Sequence, residues 1–166
     1  MSYVETTRRG RVLEVTLNKP KVNAIDIEMS RDMGRAFAEL RDDPDLWCAI
    51  LTGAGDKIFS AGWDLKALNA GDMELDNWWE EDYGEGGFAG LTEYWDLTKP
   101  VIAAVNGIAC GGGLELALSA DMILAAEHAS FALPEIRSGT VADAASVKLP
   151  KRIPYHVAME LLLTGR

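Results

Sequence analysis

The 166 residues carry 26 acidic and 16 basic side chains, a net charge of −10 with both histidines neutral, and are 48% hydrophobic and 25% charged. A chain near 150 residues reads as one domain whose core needs no disulfide or metal staple. With a sequence pI near 4.6 it lacks the basic stripe that general binding to nucleic acid or to an anionic membrane requires.

Cys48 and Cys110 are far apart, without zinc-ligand spacing, and read as small buried apolar residues. The N-terminal stretch lacks the apolar run of a signal peptide, and no segment approaches the roughly 18 apolar residues of a membrane span. A cytoplasmic, soluble protein with no membrane or nucleic-acid partner is the expectation.

In chain order, Tyr3 to Thr7 and Val12 to Leu17 are rich in β-formers and flank Arg8, Arg9 and Gly10, which predicts a hairpin. Asp26 is a good N-cap, and Met29, Met33, Ala36, Phe37 and Leu40 then recur at three- and four-residue steps, predicting a helix that ends before Pro44. The run WCAILTG predicts a buried strand. Residues 48 to 68 and 101 to 118 then share one order: apolar strand, glycine-bearing turn, apolar helical stretch. Each unit brings small residues to the start of a helix, where backbone N–H groups lack intrahelical acceptors and can hold an anion. Two such turns can converge on one oxygen. The runs MILAAE and SFALP add strands, so the fold class is α/β.

The segment from Gly71 to Gly87 interleaves Asp72, Glu74, Asp76, Glu80, Glu81, Asp82 and Glu85 with Trp78, Trp79 and Tyr83, has no clean period, and reads as a surface loop or lid. Tyr155 to Leu163 predicts a short last helix.

Several familiar sites are missing. Gly53 and Gly55 begin a dinucleotide fingerprint that lacks its third glycine, and no G-K-[ST] follows a glycine-rich loop. There is no G-x-S-x-G elbow, and His128 and His156 lie near no nucleophile in sequence, so both read as solvated or capping residues. Glu115 is more informative: it stands alone among Leu114, Leu116, Ala117 and Leu118, directly after Gly111 to Gly113. Burial there would raise its pKa toward neutrality and poise it for proton transfer, whereas the plainer reading is a first-turn acid favoured by the helix dipole. Glu135, within the apolar run 131 to 136, is a second such acid, or else a surface acid at a loop end.

Five spaced blocks carry a family resemblance: NKPKVNAID at 18 to 26, FSAGWDLK at 59 to 66, KPVIAAVNG at 99 to 107, GGGLELAL at 111 to 118 and ASFALPEIRSG at 129 to 139. Together, and in register, they resemble the crotonase superfamily of enoyl-CoA hydratases and isomerases. SAGWDLK with NAID and GGFAGLTE is most similar to its carnitinyl-CoA dehydratase subgroup. The resemblance implies one crotonase-like N-terminal catalytic domain over 1–166, built of repeated ββα units in spiral layers. It implies an oxyanion hole from the amides of Trp63 and Gly112, which hold the charge of a thioester enolate. It also implies that Glu135 moves the proton beside the thioester while Glu115 handles the water or the departing hydroxyl. Backbone at Val22, Ala24, Ser60, Ala61, Asp64 and Leu65 would hold the adenine and pantetheine of coenzyme A, with Lys66 a phosphate partner. Coenzyme A enters as the substrate thioester, with no further cofactor and no metal.

A carnitine-type substrate would need a quaternary-ammonium site, for which Trp78, Trp79, Tyr83 and Trp95 are candidates through cation–π contact; they equally suit an acyl-chain cover or loop packing. Two departures stand out. Where relatives carry Pro followed by Gly-Gly, this chain has Ala142, Asp143, Ala144, Ala145 and Ser146, whose Cβ atoms could obstruct a turn needing positive φ. The family's C-terminal helical region, which covers the site and builds trimers or dimers of trimers, has no counterpart here, so apolar surface is expected to be uncovered. A lyase is thus the main reading, with an enoyl-CoA isomerase and a non-catalytic acyl-CoA-binding or subunit-interaction protein as alternatives.

Overall fold

The computed structural model describes residues 2–66 and 81–166. Strands β1 (Val4–Arg9), β2 (Val12–Leu17), β3 (Cys48–Gly53), β4 (Ile58–Ser60), β5 (Val101–Val105), β6 (Ile108–Cys110), β7 (Met122–Ala125) and β8 (Ser130–Ala132) are interleaved with helices. These are α1 (Ile27–Asp42), α2 (Gly112–Ser119), α3 (Glu135–Ser138), α4 (Asp143–Lys148) and α5 (Tyr155–Thr164). A five-stranded sheet runs in the order β1-β2-β3-β5-β7, and a three-stranded sheet in the order β4-β6-β8. β1 and β2 form the expected antiparallel hairpin, extended by two residues toward the turn because Arg8 and Arg9 join the ladder opposite Leu13 and Val12. All other pairs are parallel. Since β3, β5 and β7 lie side by side and their successors β4, β6 and β8 do the same, each ββα unit adds one layer to a spiral.

The sequence pattern explains which face is core. β2 and β3 alternate in burial, placing Leu13, Val15, Leu17, Ala49 and Leu51 on one face. Met29, Met33, Phe37 and Leu40 of α1, all 2% exposed or less, supply the buried stripe of the helix. Asp26 caps this helix by accepting from the Met29 amide at 2.8 Å. Gly34 opens the helix surface to residues 85–90: a Cβ there would lie 2.3 Å from the Glu85 carbonyl oxygen.

The structure revises some expectations. Cys48 and Cys110 are only half-buried, at the ends of their strands. Of the segment expected as a surface loop, residues 71–80 lie outside the described residues, but Tyr83 is 9% exposed and packs on Trp63 and Phe88, so the part at 81–87 covers the core. None of residues 142–146 has positive φ, so their Cβ atoms meet no steric bar: Asp143 opens α4, and the Ser146 amide bonds the Ala142 carbonyl. β7, at the sheet edge, exposes Met122, Ile123 and Leu124 at 54%, 39% and 59%. Among the described residues no helix is long and apolar enough to cross a membrane.

Candidate active site

Two backbone turns meet at the centre of the molecule. In the first, Ile25 pairs in parallel with Trp63: its amide donates to the Gly62 carbonyl at 2.7 Å, and its carbonyl accepts from the Asp64 amide at 2.9 Å. Strand alternation then turns the Trp63 amide to the opposite side, away from residues 22–25. The second turn is the start of α2. Gly111 precedes the helix with φ +54°, its carbonyl accepts the amides of Leu114 and Glu115, and the Gly112 amide, first in the helix, has no intrahelical acceptor by helix geometry. The turns touch: a Cβ at Gly62, φ +81°, would sit 2.6 Å from the Gly112 nitrogen. Only glycine fits there.

The two carboxylates flank this junction. Glu115 lies in the first turn of α2, is 6% exposed, and accepts from the Ala145 amide at 2.9 Å. Burial pushes its carboxyl up to about 7; the Ala145 amide opposes the rise, and the negative charge of Glu135 adds to it. Glu135, the first residue of α3, places Oε1 2.8 Å from where a Cβ on Gly111 would lie. Its Oε2 is buried and has no hydrogen-bond partner among the described residues, and burial raises its pKa as well. The same carboxylate, after burial, raises the neighbouring Cys110 thiol. Two carboxyls raised by burial and two backbone turns therefore share one site, an arrangement suited to moving protons next to a polarised carbonyl.

An aromatic wall lies against the Gly112 turn. Trp63 packs on Phe88 at 5.4 Å between ring centroids and on Tyr83 at 6.2 Å, and Tyr83 meets Phe88 edge-on at 6.0 Å. A Cβ on Gly112 would lie 2.7 Å from Phe88 Cε1. Of the aromatics singled out in the sequence, Trp78 and Trp79 lie outside the described residues. Trp95 is 84% exposed, where a cation–π contact in water is worth little.

The remaining sequence-predicted positions fall along the two paired segments. Val22, Leu65 and Lys66 are exposed, Ala24, Ala61 and Asp64 are half-buried, and Ser60 has no exposed surface. Asp64 accepts from Lys19 Nζ at 2.8 Å, and Lys19 also bonds Asp26, tying the two segments together. Beside them, Lys19, Lys21 and Lys57 line a cleft of about 240 Å³. His128 is structural, its Nε2 bonding the carbonyls of Asp56 and Asn106, and His156 is exposed beside the Tyr155 ring. No group of three or more His, Cys, Asp and Glu side chains among the described residues is placed to hold a metal. The sequence reading missed the roles of Phe88, the Ala145 amide and the lysine cleft, although Phe88 lies in the block GGFAGLTE, Lys19 and Lys21 in NKPKVNAID, and Ala145 in the departure at 142 to 146.

Residues 7–166 match the family model for enoyl-CoA hydratase/isomerase. A carnitinyl-CoA dehydratase of Salmonella arizonae is 57% identical over 161 residues, 96% of this chain and 60% of its own length. The carnitinyl-CoA dehydratase of Proteus mirabilis is 56% identical over the same shares. Among solved structures, a carnitinyl-CoA dehydratase from Mycobacterium avium aligns with a TM-score of 0.90 at 43% identity, covering 100% of this chain and 64% of that one. An enoyl-CoA hydratase from Mycobacterium tuberculosis aligns at 0.87 and 43%, covering 100% and 63%. The chain spans 60% of the length of these curated relatives.

Proposed function

Because the chain belongs to the enoyl-CoA hydratase/isomerase family, we propose that it serves a lyase that adds water to an enoyl-CoA or removes it from a 3-hydroxyacyl-CoA. The observation that carries the reading is the pairing of Glu115 and Glu135, both raised by burial, beside the two facing turns. In the hydration direction the thioester carbonyl accepts from the amides of Trp63 and Gly112. Ionised Glu115 takes a proton from water as the hydroxyl oxygen bonds the β-carbon, the C=C electron pair moves into an enolate, and protonated Glu135 delivers its proton to the α-carbon. Dehydration reverses each step. Losing one such amide donor costs on the order of 10²–10³ in rate, so the backbone geometry at Gly112 matters as much as either acid.

Coenzyme A is held along Val22, Ala24, Ser60, Ala61, Asp64 and Leu65, with its phosphates toward Lys66. The adjacent cleft with Lys19, Lys21 and Lys57 supports this placement in an otherwise acidic chain. The chemistry needs no metal and no further cofactor. The acyl group is carnitinyl or similarly small: the relatives' names and the aromatic wall of Trp63, Tyr83 and Phe88 favour it. The protein is a homo-oligomer, of the trimeric kind the family resemblance implies.

Turnover of crotonyl-CoA and carnitinyl-CoA by the purified protein, beside Glu115→Gln and Glu135→Gln, tests the reading. Both variants are expected to lose at least about 10² in rate. Double-bond migration without water uptake, surviving in Glu115→Gln, would replace it with the isomerase reading. Thioester binding without turnover in the parent would replace it with the non-catalytic one.

A further inference from the structure

We propose that Ser60 is a positioning residue, whose buried hydroxyl clamps the Trp63 turn to the Asn23 backbone and so sets the spacing of the two amide donors. The inference rests on the oxyanion-hole reading above and goes beyond it, because it concerns the Ser60 hydroxyl, which faces backbone and not substrate.

Ser60 ends β4 with no exposed surface, so it cannot contact coenzyme A through its side chain. Its Oγ instead donates to the Asn23 carbonyl at 2.8 Å and accepts from the Gly62 amide at 3.1 Å. Gly62 is bonded directly to Trp63, whose amide is one of the two donors. The other face of Ser60 supports the second donor: a Cβ on Gly113 would lie 2.2 Å from the Ser60 carbonyl oxygen and 3.0 Å from its own Cβ. The first turn of α2 therefore rests on Ser60 at van der Waals contact, and neither turn can shift without the serine.

Asn23 makes the clamp rigid. It is 4% exposed, adopts φ +49°, a left-handed conformation that asparagine tolerates better than most residues, and is held from three sides. Its Nδ2 donates to the carbonyls of Phe59 at 3.0 Å and Ile58 at 3.3 Å, and its Oδ1 accepts the Lys19 amide at 3.0 Å. Its carbonyl is thus a fixed point against which the Ser60 hydroxyl braces Gly62. Removing the hydroxyl leaves a buried N–H and a buried C=O without that partner, and the turn relaxes to re-pair them. Donors stabilise an oxyanion only at about 2.7–3.1 Å from its final position, and a displacement of about 1 Å costs on the order of 10² in rate.

The test uses an aryl enoyl-CoA thioester with a dialkylamino donor on the ring, whose absorption moves to the red when its carbonyl is polarised. It is bound at saturation to the parent, to Ser60→Ala and to Ser30→Ala. Ser30 is a matched control: it is equally buried, and its Oγ donates to the Asp26 carbonyl at 2.9 Å and accepts the Ala89 amide at 3.0 Å. The parent is expected to show the red shift. Ser60→Ala should lose more than half of it and about 10² in kcat while KM stays within about threefold. Ser30→Ala should lose thermal stability but keep both the shift and kcat. A full shift and parental kcat in Ser60→Ala, or an equal loss in Ser30→Ala, overturns the clamp alone. No red shift in the parent overturns the oxyanion-hole reading as well. If Ser60→Ala does not fold, near-isosteric Ser60→Cys, with its weaker hydrogen bonds, is read the same way: a partial loss supports the clamp and an undiminished shift overturns it.

Discussion

Glu115→Gln is expected to abolish turnover and yet make the protein more stable, by an amount that grows with pH. The folded carboxyl holds its proton up to about pH 7, whereas the unfolded chain releases it near its ordinary value of 4.5. Between those values the folded state binds more protons than the unfolded one, so the parent loses stability as pH rises, and above pH 7 it bears the whole cost of an ionised buried group. That separation sets a ceiling of about 3 kcal/mol near pH 8.5, and about 1 kcal/mol is already present near pH 5.5. Glutamine is nearly isosteric and its Oε1 still accepts the Ala145 amide, so the gain is not offset by a lost hydrogen bond. Urea unfolding followed by tryptophan fluorescence measures it, from about pH 5.5 upward to stay clear of the pI near 4.6. The advantage of the variant should widen by about 2 kcal/mol across that range. An advantage that does not change with pH, or a uniform loss of stability, would refute a neutral-titrating buried carboxyl at this position.

Gly34→Ala should destabilise by about 1–3 kcal/mol in the same urea assay, although alanine is the better helix former, because its methyl would lie 2.3 Å from a backbone oxygen that packing fixes. Gly112→Ala should lower kcat by about 10–10² with the fold retained, since the new methyl at 2.7 Å from Phe88 Cε1 displaces the ring or the turn; steady-state kinetics beside a melting curve separates the two. Asp26→Ala removes the α1 cap and one carboxylate partner of Lys19, and should cost about 1–2 kcal/mol by denaturant unfolding.

The elements were legible in the sequence wherever one periodicity governed one buried face. The α1 stripe, its Asp26 cap, and the alternation of β2 and β3 follow directly from side-chain spacing, and the paired strand–turn–helix units point to a layered α/β fold, while the spiral of its layers was implied only by the family resemblance. The isolation of Glu115 among leucines was a fair signal of burial. Legibility ended where a role depends on what lies across the fold. Tyr83 sits in an acidic, aperiodic stretch, and only packing against Trp63 and Phe88 makes it part of a wall. Ser60 reads as one small residue in a glycine-rich turn, and its weight comes from Asn23, 37 positions earlier in the chain. Cys48 and Cys110 failed in the other direction, since strand ends bury less than composition suggests.

The stretch 142–146 shows how a departure from a family pattern can be absorbed. Ala142 caps α4 with ordinary negative φ, Ala144 and Ala145 lie in its first turn, and that start points the Ala145 amide at Glu115. The carboxyl titrates near neutrality because burial, helped by the charges of Glu135 and Asp143, outweighs the amide of Ala145, which holds it down. Ala145→Pro tests the balance, because proline deletes that N–H in the first helical turn, where no intrahelical bond is lost. Its ring will also strain a site with no exposed surface, so the pH profile rather than the absolute rate is the readout. If Glu115 must be ionised to take a proton from water, the rising limb of kcat/KM for hydration follows its pKa, and the variant should shift that limb upward from about 7. A limb that stays in place while the variant remains folded would mean that the amide does not hold the carboxylate, and that another group sets the pH dependence.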